Sequence, residues 1–295
     1  MKMKNITVTT LFLSVALFTG CSPVDENAAA TGATGDAITL GDCETSIGDG
    51  VDAFYLTYFS CVTVSVSGSS TVINSDNLPP HESWYYSEQH GNHIEFASQG
   101  DGYYLNPNVI SSQNLTISIP NNPTSRGLTI NESLVDGTVG TSNYEYDMGA
   151  VGCALDGCSL FNPLAAPGDD IENEKYSFDY YSAHPERTGT YHYHSSTKGP
   201  LEVLEHKGLI QTPEVGSAEI ELFGIMCDGT LILGCTELDG STPDHNDFDA
   251  QNGHVHDVSD GTTVHFESRY HTHICTETFT SHKFTPEIQY YEGCN

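Results

Sequence analysis

Basic side chains are scarce: 295 residues carry 9 Lys and Arg against 40 Asp and Glu, for a formal net charge of −31. Nucleic-acid binding is thereby excluded, because phosphate recognition needs a basic footprint. No apolar run reaches the ~20 residues of a bilayer-spanning helix. Helical periodicity is also scarce, since beyond the first twenty residues nothing sustains i, i+3, i+4, i+7 over three turns. The chain has no C-x-x-C pair, H-E-x-x-H, phosphate loop or G-x-S-x-G elbow. A catalytic triad assembled only by the fold stays open, whereas dinucleotide chemistry does not suit so acidic an exported chain. The acidity fits a surface adapted to salty water or one that gathers cations, but no D-x-[DN]-x-[DN]-G loop with a closing Glu supports a calcium site.

What is present begins with an export signal. Met1-Lys2-Met3-Lys4 is positively charged and leads into the apolar stretch Thr10–Phe18, too short for a permanent anchor. Leu17-Phe18-Thr19-Gly20-Cys21 resembles a lipobox, although Phe18 is bulky for that pattern. Residues 1–20 are therefore expected to be a lipoprotein signal peptide and Cys21 the lipidated residue. Their removal leaves 7 basic against 40 acidic side chains, a net of −33. The expected location is the cell envelope, with the lipid holding the chain to a membrane, the outer membrane or cell surface rather than the inner one.

Residues 21–42 are small and polar and read as a flexible tether. Residues 43–295 then form one domain, since no second linker interrupts them. The segments 61–66, 114–119 and 218–223 alternate apolar and polar residues at the period of a half-buried strand. The expected fold is mainly β: an antiparallel sheet or sandwich-like single domain with long loops, stapled by disulfides. Gly152-Cys153-Ala154-Leu155-Asp156-Gly157 and Gly224-Ile225-Met226-Cys227-Asp228-Gly229 share G-x-x-x-D-G, which reads as an Asp-Gly hairpin turn used twice and points to an internal pseudo-repeat. Setting Cys21 aside leaves Cys43, Cys61, Cys153, Cys158, Cys227, Cys235, Cys275 and Cys294, an even set that an oxidising compartment would pair into four bridges. Sequential pairing is expected, with Cys153 joined to Cys158 and Cys227 to Cys235.

The chemistry lies in the histidines. Three H-x-H pairs occur among fourteen: His192 and His194, His254 and His256, His271 and His273. Composition alone would give on the order of 0.7 such pairs, so they are in excess. On a strand, residues i and i+2 share a face, and two imidazoles there can converge on one ion with bonds of ~2.0–2.1 Å for zinc. Tyr191 and Tyr193 alternate with the first pair, giving a packed aromatic face and an imidazole face. Two neighbouring strands ~4.8 Å apart would let His192, His194, His271 and His273 share one ion. His254 and His256 would complete the shell or lie just outside it, with Tyr191, Tyr193 and Tyr270 walling the site. Binding would weaken below pH ~6.5. Asp156, Asp228 and Asp257 are the candidate carboxylate partners.

Gly189-Thr190-Tyr191-His192-Tyr193-His194 resembles the signature of the YHYH-domain family of bacterial exported proteins and lipoproteins. Further blocks are similar in the same order: 74–81 (Asn-Ser-Asp-Asn-Leu-Pro-Pro-His), 119–123, 154–163, Asp228-Gly229, 249–254 and 270–273, and the ending Tyr290-Tyr291-Glu292-Gly293-Cys294. The likeness covers roughly residues 55 to 295. Two departures are Thr272, where a second tyrosine would stand, and an insertion at Cys275–Thr280. The resemblance implies the domain and no particular reaction, and it adds His81 to the candidate ligands.

Three functions follow: an envelope lipoprotein with a histidine-lined copper or zinc site, since imidazole suits both; a zinc-dependent extracytoplasmic hydrolase with a carboxylate base; or a structural or adhesive module without metal. The anchor is tested directly. Cys21→Ala should accumulate as unprocessed precursor in radiolabelled-palmitate and processing assays, and normal cleavage with release of soluble protein would refute the lipid anchor.

Overall fold

Alternation becomes structure most directly at Leu115–Pro120, where Leu115, Ile117 and Ile119 are buried while Thr116 and Ser118 face solvent. The computed structural model describes residues 32–166, 168–275 and 283–294. The signal peptide, Cys21, the start of the tether and most of the insertion after Cys275 lie outside the described residues. The first sheet runs β1 (Ser46–Ile47), β2 (Thr63–Ser67), β3 (Ser70–Ser75) and β4 (Leu115–Pro120) in that order, with β1 and β2 parallel and the rest antiparallel. Gly68, at φ 61°, makes the tight β2–β3 turn that a side chain would strain. Between β1 and β2, helix α1 (Ala53–Tyr58) is capped by Asp52, which accepts from the Phe54 amide, and the helix buries Phe54, Tyr55 and Tyr58.

The second sheet contains β5 (Gly152–Ala154), β6 (Ser159–Leu160), β7 (Ala183–Pro185), β8 (Tyr191–Tyr193), β9 (Leu222–Met226), β10 (Leu231–Leu233), β11 (Gly253–Ser259) and β12 (Val264–His273). Their spatial order is β11-β12-β10-β9-β5-β6-β8-β7. Helix α2 (Ile171–Glu174) precedes β7, and α3 (Lys198–His206) packs Leu201, Val203 and Leu204 into the core between β8 and β9. The fold is mainly β, as expected, but both sheets are mixed, with parallel pairs β1/β2, β6/β8 and β10/β12. The segment 218–223 differs from its expectation as well. The strand starts at Leu222 and is buried along its whole length, because β9 sits in the middle of the sheet and is covered on both faces.

This sheet is built from two copies of one unit. Strands β5 and β6 form an antiparallel hairpin, β8 joins β6 in parallel, and β7 closes the edge antiparallel to β8. Strands β9, β10, β12 and β11 repeat that arrangement. The halves meet where β5 and β9 run antiparallel, with Cys153 opposite Ile225, Gly152 opposite Met226 and Ala154 opposite Gly224. Since residues 152 to 154 and 224 to 226 are equivalent hairpin positions, a pseudo-twofold axis passes between Cys153 and Ile225. The two Asp-Gly turns fall at equivalent places, with Gly157 and Gly229 at φ 83° and 96°.

Residues 32–42, the later part of the expected tether, lie against the body. The Ala33 amide donates to the Ile110 carbonyl (2.8 Å), and Ile38 exchanges hydrogen bonds with the Asn92 side chain. The disulfides are Cys43–Cys61, Cys227–Cys294 and Cys235–Cys275. The first is sequential, but Cys227 passes over Cys235 because the strand order brings the chain end, and not the adjacent turn, beside it. Cys153 and Cys158 are free and buried, so the expected fourth bridge is corrected to two thiols. Burial, with the nearby Asp156 carboxylate, pushes both thiols up and keeps them protonated. Neither joins a metal-ligand cluster among the described residues. Native mature domain should therefore resist iodoacetamide, and unfolding without reductant should expose two thiols by mass spectrometry; labelling of either thiol in the native state contradicts this packing.

Candidate metal centres

The first centre grows from the edge hairpin β7–β8. His184 stands directly opposite His192 in the register, and His194 follows two residues on, on the same face. One ligand nitrogen from each of the three lies within 4.8 Å of the others, and all three residues are buried. His192 Nε2 and His194 Nε2 are 3.0 Å apart. Phe161 stacks on His192 at 3.7 Å, while Phe178 lies parallel to His194 and edge-on to His184. The tyrosines of the strand point the other way: Tyr191 donates to Asp179 and Tyr193 to Asp156. Phenylalanines, not the expected Tyr191 and Tyr193, thus wall this centre.

The partners fix the tautomers. His192 Nδ1 lies 2.9 Å from the Thr190 carbonyl and His194 Nδ1 2.6 Å from the Asn162 carbonyl. A carbonyl can only accept, so each Nδ1 carries the proton and each Nε2 is left with its lone pair. The Ser177 hydroxyl donates to the Glu174 carbonyl and so accepts from His184 Nδ1 at 2.6 Å, which leaves His184 Nε2 bare as well. Three lone pairs therefore face one small volume. Burial pushes His184 and His192 well down, and His194 down to about 4, so protons do not relieve the repulsion at neutral pH. A cation does: tetrahedral bonds of ~2.0–2.1 Å put ligand nitrogens about 3.3 Å apart, close to the observed spacing.

The second centre repeats this on β11–β12. His254 is opposite His271, and His273 follows. His271 Nδ1 donates to the Arg269 carbonyl, His273 Nδ1 to the Gly234 carbonyl and His254 Nδ1 to Asp247, each at 2.9 Å. His254 Nε2 and His273 Nε2 are 3.2 Å apart. Glu237 adds a carboxylate, 3.2 Å from the Nε2 atoms of His254 and His271 and 3.5 Å from that of His273. Phe248 stacks on His273 and meets His254 edge-on, as Phe178 does in the first half. Burial opposes ionisation of Glu237, but the three imidazoles around it outweigh burial and hold the carboxyl well below the usual range, while Glu237 and Asp247 push His254 up; here, unlike in the first centre, positive charge on a ring is stabilised by a carboxylate beside Nε2.

The expected single site is corrected. Strands β8 and β12 are separated by β6, β5, β9 and β10, five spacings or roughly 24 Å, so His192 and His194 cannot share an ion with His271 and His273. Two of the three H-x-H pairs do contribute to one point, through His254, His271 and His273. His256 is half exposed and bonds to the far oxygen of Asp247 at 2.9 Å, beside the centre. His81 lies across the sheet, stacked on Tyr181 with its Nε2 3.0 Å from the Tyr193 hydroxyl. Asp156 accepts from Tyr193, Asp228 from the Thr230 and Tyr291 amides, and Asp257 from the Ser268 amide; among the described residues none of the three joins a cluster.

Sequence reasoning missed His184 and Glu237. A signal for His184 exists: Phe178-Asp179-Tyr180-Tyr181-Ser182-Ala183-His184 repeats as Phe248-Asp249-Ala250-Gln251-Asn252-Gly253-His254. In both copies the fifth residue, Ser182 or Asn252, has positive φ (54° and 56°), and the Asp accepts from a Tyr of the neighbouring strand. Glu237 sits in a turn with no motif around it.

Residues 116–246 match the family described as "YHYH protein". The matched segment carries the whole first centre and Glu237 but ends before His254, His271 and His273. No curated protein and no solved structure matches the chain.

Protons compete with a metal only below the imidazole pKa of the folded protein. Because burial lowers that pKa in the first centre, the expected onset near pH 6.5 moves down. A His271→Ala protein, keeping the first centre alone, should retain zinc at about pH 5.5 and lose it toward pH 4, read by elemental analysis after desalting at each pH. Release already complete at pH 6 would contradict the assignment of bare, buried Nε2 atoms.

Proposed function

We propose that this chain is a cell-envelope lipoprotein that holds transition-metal ions, copper or zinc, in two tri-imidazole centres. The observation that carries the reading is the convergence of three Nε2 atoms in each centre, joined by Glu237 in the second, while every Nδ1 is committed to a carbonyl, hydroxyl or carboxylate oxygen. Such nitrogens suit copper and zinc, whereas calcium and magnesium favour all-oxygen shells. The hydrogen-bonded Nδ1 atoms also supply the outer support that orients imidazole ligands and raises their basicity.

Three disulfides fit an oxidising compartment, and among the described residues no helix is long and apolar enough to cross a membrane. Lipid attachment at Cys21 would supply the anchor. A zinc hydrolase is the second reading, favoured by the three-nitrogen donor set of the first centre, which matches catalytic zinc sites in kind. Holding a metal ranks above hydrolysis because a cleft of about 540 Å³, lined by Cys43, Cys61, Asp76 and Asn114 among others, lies away from both centres.

Elemental analysis of tag-free protein exported to an oxidising compartment and dialysed should find two transition-metal ions per chain. His192→Ala and His271→Ala should each lose one, and the double variant both. Folded wild-type protein without stoichiometric metal, even after zinc or copper is supplied, would overturn the reading in favour of a structural or adhesive module.

A further inference from the structure

The two centres share three imidazoles and differ in what completes them. In the second, Glu237 lies within 3.5 Å of all three Nε2 atoms, so the donors make a closed set of four. The halves correspond at one offset across the β5–β6 hairpin and the turn after it: Asn162 and Gly234, seventy-two residues apart, each accept from the equivalent histidine, His194 or His273. The same offset places Ala165 where Glu237 stands. Ala165 is buried and offers no donor atom.

The carboxylate beside the first centre comes instead from α2. Glu174 Oε1 is 3.4 Å from His184 Nε2, yet Glu174 falls outside the set of mutually close ligand atoms. Among the described residues its Oε2 is buried with no hydrogen-bond partner, and so is His184 Nε2, on a side chain that is only 4% exposed. The Glu174 side chain is 23% exposed, so solvent reaches this flank of the centre. Three nitrogens fill three corners of a tetrahedron and leave the fourth free. A carboxylate just beyond that corner accepts a proton or hydrogen bond from whatever occupies it, which satisfies an oxygen otherwise costly to leave unpaired.

We propose that the first centre keeps an exchangeable coordination position, flanked by Glu174, that takes water or another small proton-bearing ligand, while the second is closed by Glu237 and only retains its ion. The proposal rests on the metal-holding reading above. Glu174 acts through the incoming ligand: once ionised it favours one that can donate a hydrogen bond and repels a small anion that cannot, and because burial pushes its carboxyl up to about 7 the contrast is read at mildly alkaline pH. The chemical class is therefore a small protic molecule, and bare anions bind against the carboxylate charge.

The full-length mature chain loaded with cobalt(II) tests this through its visible spectrum, with azide as the probe. His271→Ala, which keeps the first centre, should shift its cobalt bands on azide addition, whereas His192→Ala, which keeps the second, should not. Removing the fourth donor in that background, as His192→Ala with Glu237→Ala, should make the second centre respond. Glu174→Gln in the His271→Ala background should bind azide several-fold more tightly with unchanged cobalt stoichiometry. A first centre that stays azide-silent even with Glu174→Gln, an azide-responsive second centre with Glu237 intact, or no effect of Glu174→Gln overturns the proposal while two ions still load. Failure of cobalt and zinc to load at all overturns the metal-holding reading itself, and this proposal with it.

Discussion

Buried imidazole lone pairs aimed at one another are the constraint on which the rest of the second sheet turns. A buried polar group without a partner costs roughly 1–3 kcal/mol on mutational scales; the first centre turns three imidazole nitrogens on one another, whereas the second turns its three on Glu237 as well. Proton exchange between ring nitrogens cannot relieve this, because every Nδ1 already donates to an oxygen held by the backbone or by a neighbouring side chain. The hydrogen bonds that orient the rings also create the demand for a cation. In the second centre Glu237 makes positive charge welcome; in the first, burial alone surrounds the nitrogens, so the demand is sharper.

The repeated unit explains how so few elements produce this geometry. Each half needs a parallel crossover that lays an H-x-H strand beside the hairpin, and an edge strand that brings one histidine opposite the first of the pair. The same Phe-Asp turn supplies both the ring that packs on the last histidine and the carboxylate that fixes a tyrosine on the far face. The halves then diverge in their reinforcement. Cys235–Cys275 ties the ends of β10 and β12 beside the second centre, while Pro163 holds the place of Cys235 in the first half. The first centre leans instead on the loop after β3, where the Asn77 side chain donates to the Tyr191 carbonyl and accepts from the Ser159 amide.

Local features were legible in the sequence because local spacing determines them. Alternation at residues 114–119, the paired Asp-Gly turns and the excess of H-x-H pairs all survive in the structure. Which pair meets which was not legible, since strand order is a property of the whole sheet and β9 pairs with β5 across about seventy residues of chain. Placing two like H-x-H strands side by side therefore misplaced His192 and His194 next to His271 and His273, and pairing by sequence proximity misplaced Cys227 next to Cys235. Glu237 was invisible for a related reason: it reaches the centre from a turn, where no periodicity marks it. His184 was visible only as part of a seven-residue echo, which stands out once the two halves are superposed.

Anomalous X-ray scattering from crystals of zinc- or copper-loaded protein bears most directly on the central claim. Two peaks per chain are expected, one bounded by the Nε2 atoms of His184, His192 and His194 and the other by those of His254, His271 and His273 with Glu237, at bonds of about 2.0–2.1 Å for zinc. A single shared peak, peaks only at surface carboxylates, or coordination through Nδ1 would contradict the account.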